Sequence, residues 1–203
     1  MAIKRKGTFR YWIRRIGIFL KRFNHSKGFG IQSPSAFLFS NHIINDHHHY
    51  DVYNILRRKF PHESRLTLKL SRLYFRIAQA QHSAKWTIYA RKFTVYQSYI
   101  QAGSPRTKIE KVLSNNTLFN TRNGDVLLMC IDSNWYQLFD SFVSSANANS
   151  LLIVEAIHVN NYTKAIWQQM ISDSRTVVSF DLYYCGIICF DNTKSKQQFV
   201  INF

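Results

Sequence analysis

Glycine and proline are scarce, 7 and 3 among 203 residues, while 46 % of the chain is apolar. That combination excludes collagen-like, low-complexity and disordered chains. No run reaches the ~18 consecutive apolar residues of a membrane-spanning helix. There are three cysteines, Cys130, Cys185 and Cys189, all in or beside apolar runs. They read as buried thiols. The C-x3-C pair has no second ligand pair near it, so zinc is not expected, and nothing in the pattern points to an oxidising compartment. P-loop, HExxH and Ser-His-Asp signatures are also missing. Acidic residues number only 11, against 27 Lys and Arg, for a net charge of +16.

What is present is a chain long enough to bury a core without a disulfide or metal staple. Its charge points to a polyanionic partner, either an anionic membrane surface or nucleic acid. The charge is uneven. Residues 1–111 hold 22 Lys and Arg and 4 acids, residues 112–203 hold 5 and 7, so the halves carry +18 and −2. A polyanion site is therefore expected on the N-terminal half.

Phe9 to Phe23 repeats apolar residues at helical spacing: Phe9, Trp12, Ile13, Ile16, Phe19, Leu20 and Phe23. At about 100° per residue they form a stripe roughly 120° wide. Arg10, Arg14, Arg15, Lys21 and Arg22 fall on the opposite side, with Tyr11 and Ile18 as exceptions on the basic face. Two readings are open. The stripe docks on the chain's own core, or it lies in the headgroup layer of an anionic membrane. Arginines interrupt the apolar residues and no small-residue cleavage site follows, so a signal peptide is not expected. The implied location is cytoplasmic, with a peripheral place at the inner membrane face left open.

Helices are expected from Pro34 to about Asn45 (Ser33 as N-cap), Tyr50 to Lys59 and Leu66 to His82. The run His47-His48-His49 reads as a solvated loop or helix end. From Lys85 strands and helices alternate: strands at Trp86–Ala90, Lys108–Leu113, Asp125–Ile131, Leu151–Val154 and Thr176–Leu182, helices at 93–102, 135–145 and 162–171. Asp191–Lys194 supplies turn residues, so Gly186–Phe190 and Gln198–Phe203 are expected to pair as a hairpin. The pattern is α/β, in two regions: basic helices over 1–82 and an α/β domain over 83–203.

Several segments resemble a known family. Gly28-Phe-Gly-Ile-Gln-Ser-Pro-Ser-Ala-Phe37, with Asn41–Ile44 and Tyr50–Tyr53, is similar to the N-terminal lead of class I S-adenosylmethionine-dependent methyltransferases of a Bacteroidetes O-methyltransferase-like branch. Leu128–Asn134, Ser150–His158, Ser179–Phe190 and Lys196–Phe203 are similar to its later strands. The resemblance covers a little over half the chain. It implies a Rossmann-like seven-stranded sheet with an antiparallel last strand and S-adenosylmethionine as cofactor. It also implies that Asp132, Glu155 and His158 lie at strand carboxyl ends, with Asp132 and His158 in catalysis and Glu110, Asp132 and Glu155 near the cofactor.

The cofactor turn departs from the family. Where the family has an acid and glycines, this chain has Ile88-Tyr-Ala-Arg-Lys-Phe-Thr-Val95. A glycine turn lets backbone approach a ligand where a Cβ would collide. Tyr89, Arg91, Lys92 and Phe93 would fill the pocket or oppose a sulfonium cation. Glu110 stands 19 residues after Arg91, near the ~20 expected of a ribose-binding acid; ungapped alignment puts Leu113 there instead. The stretch before Asp125 is short, so at least one strand-and-helix unit is expected to be missing. Two functions follow: a degenerate methyltransferase homologue that acts by binding, with no cofactor, or an active methyltransferase with an altered pocket.

Overall fold

The computed structural model describes Ile13, residues 16–18, Leu20, Arg22, and residues 33–83, 85–112 and 124–203. Helix α1, Pro34–Phe39, continues into a π-turn at Ser40–Ile44. Ser33 holds the N-cap position and Pro34 opens the helix, as expected. Helices α2, Asp51–Lys59, and α3, Arg65–Gln81, follow. Ser64 caps α3 by accepting from the Thr67 amide. Then come β1 (Lys85–Tyr89), α4 (Phe93–Gly103), β2 (Lys108–Lys111), β3 (Val126–Cys130), α5 (Trp135–Ser145), β4 (Leu151–Glu155), α6 (Asn161–Ser172), β5 (Val178–Asp181), β6 (Cys185–Cys189) and β7 (Gln197–Val200).

The strands form one seven-stranded sheet in the order β2-β1-β3-β4-β6-β5-β7. All pairings are parallel except the two made by β6. The α/β, Rossmann-like architecture expected from the sequence is present. The apolar runs of β3 and β4 are continuous because both faces are covered. Leu128 and Ile153 face Leu73, Tyr74 and Ile77 of α3 and Tyr96 and Ile100 of α4. Leu127, Met129, Leu152 and Val154 face Phe139 and Phe142 of α5 and Trp167 and Met170 of α6. Helix α3 thus shares a core with the sheet, and α2 packs outside it through Tyr53, Leu56, Phe75, Val95 and Tyr99.

The strand end of the chain corrects the expected topology. β6 and β7 do not pair. β5 lies between them, and the hairpin is β5–β6, turning through Leu182, Tyr183 and Tyr184. The Leu182 amide donates to the Cys185 carbonyl at 2.9 Å, and Tyr183 takes φ +70°. A left-handed tyrosine gives no turn signal in sequence, because glycine or asparagine usually takes that conformation. One edge of β6 is already paired with β4, so β7 adds to the open edge of β5. There Phe199 lies beside Phe180 at 5.5 Å. The antiparallel strand is therefore the penultimate one, not the last. At the other edge is β2; residues 112–125 lead from it to β3, and 113–123 lie outside the described residues. The seventh strand is the C-terminal β7.

All three cysteines are free; Cys185 is buried, and burial pushes its thiol well up. Among the described residues no helix is long and apolar enough to cross a membrane.

Candidate functional site

The parallel strands send their carboxyl ends to one edge. Strand order reverses between β1 and β3, and in open α/β sheets the crevice at such a switch point is where ligands bind. Here it is bridged: the Tyr89 hydroxyl, at the end of β1, donates to Asp132 Oδ2, just past β3. That bond, before the burial of the phenol, pushes Tyr89 up to about 12. The other oxygen of Asp132 accepts the Asn134 amide at 2.9 Å. Arg91 and Lys92 turn outward and do not fill the crevice; Lys92 pairs with Glu63 at 2.9 Å. Phe93 is half-buried, with Lys111 Nζ 5.6 Å from its ring.

Glu155, the last residue of β4, is a partly buried carboxylate between two helices. It accepts the Tyr74 hydroxyl of α3 at 2.7 Å and a second bond from Tyr96 of α4. Burial raises its pKa and the two phenols oppose the rise. Both tyrosines are fully buried, so their rings close the space between the sheet and these helices. Glu110 sits inside β2 opposite Thr87 and pairs with Lys108 at 2.8 Å and Lys85 at 3.8 Å. The Lys108 bond holds its carboxyl low. Leu113 lies outside the described residues.

Asp132 and His158 follow neighbouring parallel strands, yet each is committed to different partners. His158 Nε2 lies 2.6 Å from Asp181 Oδ2, at the end of β5. Its ring stacks on Tyr183 at 5.1 Å. Arg22 joins this pair: it lies in a turn just past the described helical residues of the N-terminal helix (Ile13, 16–18 and Leu20), and its amide donates to the Ile18 carbonyl at 3.1 Å. One guanidinium nitrogen meets Asp181 Oδ1 at 2.8 Å and His158 Nε2 at 3.2 Å, and another donates to the Asp181 carbonyl at 3.1 Å. Both charged side chains are only 12 % exposed. Burial alone would raise the Asp181 carboxyl; the His158 contact and the Arg22 charge hold it below the ordinary aspartate value. In the sequence Asp181 reads as part of the Thr176–Leu182 strand, without a role. No local signal marks it, since its partners lie 23 and 159 residues away.

Arg22 is the single predicted polyanion residue among those described; Arg10, Arg14, Arg15 and Lys21 lie outside them. It docks on the edge of the sheet. Ile18, one turn earlier, lines a cavity beside α3. Ile13, Ile16 and Leu20 are 54, 55 and 66 % exposed. At about 100° per residue these three fall within about 60° of one another, and Ile18 and Arg22 lie on the other side. So the described part of the apolar stripe faces outward, and the face carrying Ile18 and Arg22 faces inward.

The turn after β1 has no glycine to admit a ligand against backbone. Tyr89 spans the switch point, and Glu110 is tied to two lysines. The shape of the chain is similar to that of a methyltransferase of Podospora anserina solved with S-adenosylhomocysteine. That likeness has a TM-score of 0.43 at 12 % identity and covers 79 % of this chain and 97 % of the other. No protein-family model matches the chain, and neither does any curated protein.

Proposed function

We propose that this α/β chain is a methyltransferase-like protein that acts by binding rather than by methyl transfer, and that its basic N-terminal helix seats on an anionic membrane surface. The observation that carries the reading is the outward stripe of Ile13, Ile16 and Leu20 on a helix anchored from its other side by Arg22. Burying one such side chain contributes about 1.5–3 kcal/mol, and each Lys or Arg near an anionic surface adds on the order of 1 kcal/mol. Three exposed apolar side chains beside a run of basic residues have the composition of an in-plane helix.

Sedimentation with liposomes tests this. The full chain is expected to co-sediment with vesicles containing phosphatidylglycerol, less so as salt rises, because the attraction is screened over about 10 Å at 0.1 M. Ile13→Asp/Ile16→Asp/Leu20→Asp is expected to abolish co-sedimentation while leaving the unfolding transition in place. Unchanged sedimentation of the triple variant would refute the membrane reading.

Loss of methyl transfer is supported by the Tyr89–Asp132 bridge and by the glycine-free turn at Ala90–Phe93. Calorimetric titration with S-adenosylmethionine is expected to give no saturable binding below about 1 mM, a free energy weaker than about −4 kcal/mol. Micromolar affinity would restore the alternative, an active methyltransferase with an altered pocket.

A further inference from the structure

A cavity of about 830 Å³ opens between α2, α3, the 45–49 loop and the C-terminal Asn202 and Phe203. Its size is that of a small-molecule site. Its lining is cationic: Arg57 from α2 and Arg65, Lys69, Arg72 and Arg76 from α3, with His47, His48 and His49. The α3 residues recur at i, i+4, i+7 and i+11, which puts them on one helical face over about 16 Å.

Among the described residues Asp46 is the one side-chain carboxylate in the lining. It accepts the His48 amide at 2.7 Å and the Tyr50 hydroxyl at 2.9 Å. Its single negative charge, felt by Arg76, offsets one of the five Arg and Lys charges and leaves the row cationic. Several cations are held in place beforehand. Arg76 donates to the carbonyls of Ile43 and Ile44 at 2.6 and 2.9 Å, the Arg72 guanidinium lies 5.0 Å over Tyr53, and Lys69 Nζ lies 4.1 Å over Phe203. Arg72 also lies against the buried Tyr99 hydroxyl, whose rise on burial its charge and hydrogen bond oppose. Beyond this cavity a second one of about 540 Å³ shares Asn54, Arg57, Arg65 and Leu68 with it and adds Arg58 and Glu63, the latter paired with Lys92 at 2.9 Å.

We propose that this groove binds a multiply phosphorylated small molecule, either free or as a lipid headgroup. Clustered like charges repel one another, and a bound polyanion removes that cost. A phosphate group brings about −1.5 to −2 charges and three acceptor oxygens, which suit guanidinium forks. The row extends into the second cavity, so it serves two or more phosphates better than one. Strand-type nucleic acid fits less well. It is held largely by bases stacked on aromatic faces, and Tyr53 and Phe203 already carry Arg72 and Lys69. The site is separate from the outward stripe of the N-terminal helix and does not depend on it.

Inorganic tripolyphosphate, titrated calorimetrically into the full chain in phosphate-free buffer, is the probe. Saturable micromolar binding that weakens with salt is expected. Arg57→Gln/Arg65→Gln, at two exposed positions, is expected to weaken it at least tenfold. The charge-matched pair Arg91→Gln/Arg106→Gln, outside the groove, is expected to change it less than twofold. Ile13→Asp/Ile16→Asp/Leu20→Asp should leave it unchanged, which separates this site from the membrane helix. Vesicles containing cardiolipin distinguish the two sources. The vesicle arm uses the Ile13→Asp/Ile16→Asp/Leu20→Asp protein, which lacks the helix stripe: with a headgroup as ligand it still captures cardiolipin vesicles, tripolyphosphate competes the capture away and added Arg57→Gln/Arg65→Gln removes it; with a free ligand it captures no vesicles and still binds tripolyphosphate. Absence of saturable binding, or equal weakening in both Arg→Gln pairs, would overturn the proposal. So would an oligonucleotide that binds more tightly than tripolyphosphate, with affinity growing with its length.

Discussion

Replacing Asp181 by alanine is expected to lower the unfolding free energy by about 3–5 kcal/mol, the usual result of removing one partner of a buried ion pair. Asp181 accepts from Arg22, contacts His158 and receives the Tyr183 amide at 2.8 Å. Without it a largely covered guanidinium and an imidazole lose their acceptor, and the left-handed turn at Tyr183 loses its anchor. Urea titration of the two proteins measures the difference. The pH dependence has a definite sign. The carboxylate lies below its ordinary value of 3.8 in the folded protein, so folding favours its charged form. Its stabilisation is complete above 3.8 and is lost as pH falls through the lower folded value. The two proteins should differ most near neutral pH and converge below 3.8. A difference under about 1 kcal/mol at pH 7 would show that Arg22 and His158 find other partners.

Gly186→Ala is expected to cost about 3 kcal/mol, the upper end of ordinary overpacking penalties. A Cβ at this position would meet the Trp167 ring at 2.3, 2.5 and 2.7 Å. Neither side can yield easily. Gly186 lies in β6, paired on one side with Val154 of β4 and on the other with Asp181 of β5. Trp167 is fully buried in the core between the sheet and α6. Thermal unfolding by circular dichroism reads the effect as a fall in Tm of several degrees. A Tm within about one degree of the parent would mean that the indole shifts at little cost.

These two residues show where sequence reading stops. Gly186 reads simply as the first residue of a strand, because the indole it accommodates comes from a helix 19 residues earlier. Asp181 reads as the end of a strand, because its partners come from the N-terminal helix and from the loop after β4. Elements with a repeating pattern are far more legible. The alternation of Leu70, Leu73, Tyr74 and Ile77 locates α3, and the unbroken apolar runs at 126–130 and 151–154 locate two strands covered on both faces.

The sequence by itself determined the α/β class, nearly every element from Pro34 onward, and the concentration of positive charge in the first 111 residues. Periodicity and charge are local properties, and these conclusions need nothing more. Only the tertiary structure decided that β5 separates β6 from β7, since strand neighbours are chosen by which edge is open after the others have paired. It also turned Ile13, Ile16 and Leu20 outward and Ile18 and Arg22 inward. The amphipathic pattern of that segment allows either face to dock, and the choice was made by a buried carboxylate, Asp181, far away in the chain. The cation row of α3 became a groove for the same reason: α2, the 45–49 loop and the C-terminus meet around it only in three dimensions.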